Sequence, residues 1–78
     1  MTVQVETYSG FKADERPMRF RLGEHRLAVE EVLDRWYDPE ATYFRVRADD
    51  GDLYVLRHGE REDAWTLEAY RRGDVKFR

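Results

Sequence analysis

Seventy-eight residues leave room for one hydrophobic core, and a chain this short buries only about 60% of the surface it exposes when unfolded. Cysteine is absent, which excludes disulfide staples and thiolate metal sites and leaves the 41% hydrophobic residues to hold the fold by packing. Fourteen basic and seventeen acidic side chains nearly cancel to a net charge of −3, the balance of a mixed, solvated surface.

In chain order, Val3 and Val5 alternate with Gln4 and Glu6, the period-two pattern of a strand ending near Tyr8. The stretch from Ser9 to Pro17 has no consistent period and reads as a long loop, a feature often functional in small domains. Beyond Pro17 the alternation resumes, with Met18, Phe20 and Leu22 on one face and Arg19 and Arg21 on the other. Gly23 then marks a tight hairpin.

The segment from Arg26 to Trp36 admits two readings. Val29, Val32, Leu33 and Trp36 share one face of a short helix. As a strand, the alternation through Leu27 and Val29 restarts at Val32, Asp34 and Trp36, which requires a bulge near Glu30 and Glu31. The hairpin glycine and the lack of a helix-capping residue favour a bent strand, with Trp36 in the core. Asp38-Pro39-Glu40 turns the chain.

Tyr43 to Ala48 and Asp52 to Arg57 form the clearest hairpin. A three-residue loop with Gly51 in a left-handed bulge sets Val46 opposite Tyr54 and Phe44 opposite Leu56. The last strand runs from Trp65 to Ala69, with Trp65, Leu67 and Ala69 inward. The basic tail, residues 71–78, is expected to fray. Five to six short strands separated by turns imply a single mostly-β domain over residues 1–78, a small antiparallel barrel or curled sheet of SH3-like or related type.

Catalytic signals are weak, and no enzyme activity, metal or cofactor is expected. Ser9 with His25 and His58 makes no recognisable constellation. The spacing of Asp49, Asp50, Asp52 and Glu60 does not match a calcium loop, and Asp-Asp-Gly is ordinary turn chemistry. No apolar run approaches the roughly 20 residues of a membrane span. The first residues lack the regions of a signal peptide, so a cytoplasmic location is expected. Twelve arginines against two lysines, with no Asn and no Ile, fit a high-GC codon bias.

Two binding readings remain. The loop residues Tyr8, Phe11, Lys12 and Arg16 combine aromatic and cationic groups of the kind that anchor protein interfaces. Alternatively, Arg19, Arg21, Arg45 and Arg47 form one basic patch for nucleic acid if their strands lie close, with Tyr43 as a stacking platform. Arginines paired to acidic neighbours favour the first reading, and a contiguous uncompensated arginine face favours the second. An unpaired edge strand, the first for instance, offers a route to a homodimer.

Tyr8 to Pro17, Phe20-Arg21-Leu22-Gly23, Val29 to Tyr37 and Tyr43 to Gly51 together resemble a small family of bacterial domains of unknown function. From Pro17 to about Trp65 the pattern is similar to the C-terminal module of ImuB-like proteins, inactive relatives of Y-family translesion polymerases. The resemblance implies a small β fold, a non-catalytic adaptor role and a DNA-repair setting. It supplies no active site.

Overall fold

The computed structural model describes residues 2–8 and 16–73, with Tyr8 described by its backbone alone. Six antiparallel strands succeed one another around a closed barrel: β1 (Thr2–Tyr8), β2 (Arg16–Leu22), β3 (His25–Asp38), β4 (Ala41–Ala48), β5 (Leu53–Gly59) and β6 (Ala64–Arg71). The small antiparallel barrel expected from the strand pattern is therefore the fold. The Arg26–Trp36 segment is strand throughout, which removes the helical alternative.

Turn chemistry sets the hairpins. Leu22 and His25 pair across a two-residue loop, and Gly23 has φ +60°. A positive φ at the first loop position suits the right-handed twist of the flanking strands and costs glycine little. Gly51, at φ +87°, closes the β4–β5 turn, and the expected register holds, with Val46 opposite Tyr54 and Phe44 opposite Leu56. Around this turn Asp49 bonds to distant β3 through both its backbone and its side chain. Its amide donates to the Ala28 carbonyl at 2.9 Å, and its carboxylate accepts from the Ala28 amide at 3.3 Å. The loop thus fastens β3 where that strand bends.

Bulges decide which side chains reach the core. The pairing of β3 with β4 skips Glu30 and then Leu33. The first bulge is the one required by the alternation; the second is additional, and it inverts the phase of the remainder of the strand. Val32 faces inward opposite Val46, whereas Asp34 and Trp36 face outward opposite Arg45 and Tyr43. Trp36 is consequently not a core residue, being 40% exposed. The pairing of β1 with β2 skips Met18, which lies outside while Pro17 is fully buried, contrary to the inward placement of Met18. In the same way β6 skips Glu68 opposite β5, and Ala69 is exposed rather than inward.

The core that results comprises Val3, Phe20, Leu27, Phe44, Val46, Ala48, Tyr54, Leu56 and Trp65, with Val5, Leu22, Val29, Val32 and Leu67 packed against it. Phe20 meets Tyr54 edge-on at 5.0 Å between ring centroids, and Phe44 meets Trp65 at 5.6 Å. Arrangements of this kind add roughly 0.5–1.5 kcal/mol each beyond area burial. The strand expected to offer a free edge, β1, instead closes the barrel by pairing Thr2 with Thr66 and Val3 with Trp65.

Candidate interaction surface

The outer face of β3, β4 and β5 is built in rungs. The outermost carries Trp36, Tyr43 and Arg57, the next Asp34, Arg45 and Val55, and the third Glu31, Arg47 and Leu53. Alternation turns these residues outward because their neighbours Phe44, Val46 and Leu56 are committed to the core. Trp36 and Tyr43 stack in parallel, with an interplanar angle of 1° and centroids 5.4 Å apart. Tyr37, 67% exposed, lies at the same tip. Behind them the Arg35 guanidinium sits 5.3 Å from the Phe44 ring centre and donates to the Tyr37 hydroxyl at 3.4 Å. The tip therefore presents three aromatic side chains on a braced hairpin.

The cations of this face are neutralised where they stand. Arg45 pairs with Asp34 at 3.8 Å, Arg47 with Glu31, and Arg57 with Glu62 at 3.4 Å. The Tyr43 hydroxyl, and after it the Glu62 carboxylate, hold Arg57 above its ordinary pKa; the Glu62 carboxyl is held below the usual range by its own backbone amide first and then by Arg57.

The four arginines of the expected basic patch are not brought together. Arg19 and Arg21 belong to β2, Arg45 and Arg47 to β4, and β3 runs between those strands. Arg19 pairs with Glu6 at 3.6 Å, so only Arg21 of the four has no acidic partner among the described residues. Tyr43 is half-buried beneath Trp36 rather than open as a platform for bases. Of the loop residues, Arg16 is exposed at the start of β2, while Phe11, Lys12 and the Tyr8 side chain lie outside the described residues, as does Ser9.

One edge was not foreseen from the sequence. β2 pairs with β3 only as far as Ala28, whereas β4 stays beside β3 on to Asp38. Among the described residues, β3 beyond Ala28 therefore has a strand on one side alone. Glu30, Glu31, Asp34 and Asp38 are exposed along it, the charged guard that blunts a bare edge against self-pairing. The acidic spacing is visible in the sequence; the neighbour missing among the described residues depends on where the β2–β3 pairing ends, at Arg19 opposite Ala28, which only the tertiary fold sets.

At the opposite end, polar groups are used up in structural bonds. The Tyr54 hydroxyl donates to Asp50 and the Tyr70 hydroxyl to Asp52, both at 2.6 Å, and the Gly73 amide donates to Asp52 at 2.8 Å. Burial first, then the Asp50 bond, pushes the Tyr54 hydroxyl far above its ordinary pKa. Back at the Trp36–Tyr43 end, His58 stacks on Trp65 at 4.6 Å and bonds Asp63 at 2.8 Å. No group of three or more His, Cys, Asp or Glu able to hold a metal occurs among the described residues, and no helix among them is long and apolar enough to cross a membrane. Comparison with protein-family models, with curated proteins and with solved structures gives no match.

Proposed function

We propose that this chain is a non-catalytic β-barrel adaptor that captures an extended, basic segment of a protein partner along the free edge of β3. The observation that carries the reading is the juxtaposition, on one hairpin, of a strand edge that has no neighbour among the described residues and is lined by four carboxylates with the Trp36–Tyr43 stack and exposed Tyr37. An edge supplies main-chain bonds to an added strand, alternate side chains supply specificity, and aromatic anchors supply most of the affinity. Glu30 and Asp38, which have no cationic partner among the described residues, set the sign of the partner, since Glu31 and Asp34 are already met by Arg47 and Arg45. Ion pairing of Arg19, Arg45 and Arg47 supports the protein-partner reading over the nucleic-acid one. A DNA-repair setting belongs to the proposal and rests on the resemblance of Pro17–Trp65 to the ImuB-like module alone.

The test is selection of binders from a random twelve-residue peptide library, then amide hydrogen exchange of the barrel with the best peptide bound. Lys- and Arg-rich extended sequences are expected, with protection gained over residues 30–38 and binding lost in Trp36→Ala. Binders without basic residues, or protection gained only elsewhere, would refute it. Labelled single-stranded DNA is expected to leave fluorescence anisotropy flat at low salt, where electrostatic binding is strongest.

A further inference from the structure

The outer face of β1, β2 and the start of β3 breaks a charge pattern that recurs around the barrel. Four outward arginines each face a carboxylate: Arg19 with Glu6, Arg45 with Asp34, Arg47 with Glu31 and Arg57 with Glu62. Arg21 is instead directly opposite Arg26 across the β2–β3 ladder, and Gln4 is opposite Arg21 on its other side. Both arginines are exposed, and neither has an ion pair or hydrogen bond among the described residues.

Their position makes this costly. They form the second rung beyond the two-residue Gly23-Glu24 turn, a rung of the kind without backbone hydrogen bonds, where Cα atoms approach to about 4.5 Å and side chains are closest. Like charges directly opposed on such a rung destabilise the sheet. The two side chains are held outward by the burial of their neighbours Phe20 and Leu27, which form the adjacent rung. They border an open depression of about 620 Å³ lined also by Gln4, Glu6 and Arg19. Three guanidinium groups meet one carboxylate there, a local surplus of two positive charges on a chain whose net charge is −3.

We propose that Arg21 and Arg26, with the Gln4 amide beside them, form a binding site for a compact phosphate group. Guanidinium forks match the paired oxygens of a phosphate and are the usual choice for that recognition. A dianion seated between them converts the repulsion into two charge-assisted contacts, while the Gln4 amide donates a third. The compact form is favoured over a polymer of phosphates because the next rung out is already neutralised by Glu6 and the arginines of β4 by their own carboxylates. This site is separate from the β3 edge and does not depend on it.

Inorganic pyrophosphate is the probe, titrated into ¹⁵N-labelled protein while the arginine Nε–Hε signals are monitored. Arg21 and Arg26 are expected to shift and saturate together, with Arg45 and Arg47 unmoved and affinity falling about tenfold in Arg21→Ala. Arg26→Glu puts opposite charges on the rung, so it should raise the melting temperature while abolishing binding. That pairing of outcomes separates lost binding from lost fold. A twelve-nucleotide single-stranded DNA serves as the second arm. No shift with millimolar pyrophosphate, equal shifts at all the arginines, or tighter binding of the DNA than of pyrophosphate would each overturn the proposal.

Discussion

Replacing each tryptophan in turn by alanine tests the phase inversion at Leu33 most directly. Trp65 is 9% exposed and lies between Phe44 and His58. A buried indole removes about 200 Å² from water, worth up to about 5 kcal/mol at roughly 25 cal/mol per Å², and measured core truncations of this size cost about 3–5 kcal/mol. A domain of this length has a total stability of about 4–12 kcal/mol, so Trp65→Ala should abolish folding or lower the melting temperature by at least about 12 °C. Trp36 covers Tyr43 from outside, and its removal leaves open solvent rather than a cavity. The loss there is the stack and part of the ring's coverage, about 1–2 kcal/mol. Urea titrations monitored by far-ultraviolet circular dichroism measure both costs, and each variant retains one tryptophan as a fluorescent reporter. A Trp36→Ala cost equal to that of Trp65→Ala would show that the indole lies in the core, and the assigned bulge at Leu33 would be wrong.

The same geometry sets three further outcomes. Gly51→Ala meets no atom within 4 Å but must hold φ +87°, so it should cost about 1–2 kcal/mol through backbone strain alone, read as the shift in urea midpoint. A double-mutant cycle on Asp34 and Arg45, both about half exposed, should give a coupling of about 0.2–1 kcal/mol that shrinks as salt is added. The Asp52 carboxyl is held below its ordinary 3.8, chiefly by the Gly73 amide and then by the Tyr70 hydroxyl. A depressed carboxyl contributes its full stability above the unfolded value and loses it as pH falls through the lower folded value. Melting temperature should therefore fall more steeply below about pH 3.8 in the wild type than in Asp52→Asn.

Hairpins were legible because their signals are local. Gly23, Gly51 and the alternation from Tyr43 to Arg57 suffice for the turns and for the β4–β5 register. The bulge at Glu30 was legible because the apolar alternation visibly breaks there. Bulges at Met18 and Glu68 were not, because each sits in a stretch whose alternation looks unbroken; the one at Leu33 was not, because the apolar residues there fit a helical period as well as a strand, and an extra residue is defined only by what the partner strand skips. Every misplaced side chain stems from one of these three: Met18 and Ala69 by a local flip, Trp36 by the flip at Leu33. The outward direction of Arg19, Arg21, Arg45 and Arg47 was readable from alternation. Which of them would be neutralised was not, since that depends on which residues of β1 and β3 lie opposite. The Arg21–Arg26 rung could have been found by counting outward from the Gly23 turn.

Closure of the barrel has a consequence in time as well as in space. Five of its six seams join strands adjacent in the chain, and such contacts can form as soon as the local segment exists. The sixth joins Thr2 and Val3 to Thr66 and Trp65, some sixty residues away, through two residue pairs. Bringing ends that far apart together costs about 3–4 kcal/mol in chain entropy, and two pairs return little of it until Trp65 is seated in the core. The meander from β1 to β6 thus assembles first and the β1–β6 seam closes last. Run backward, that order makes opening of the β1–β6 seam the lowest-lying excursion of the native state, one that uncovers Val3 and Trp65 while the five hairpins stay shut.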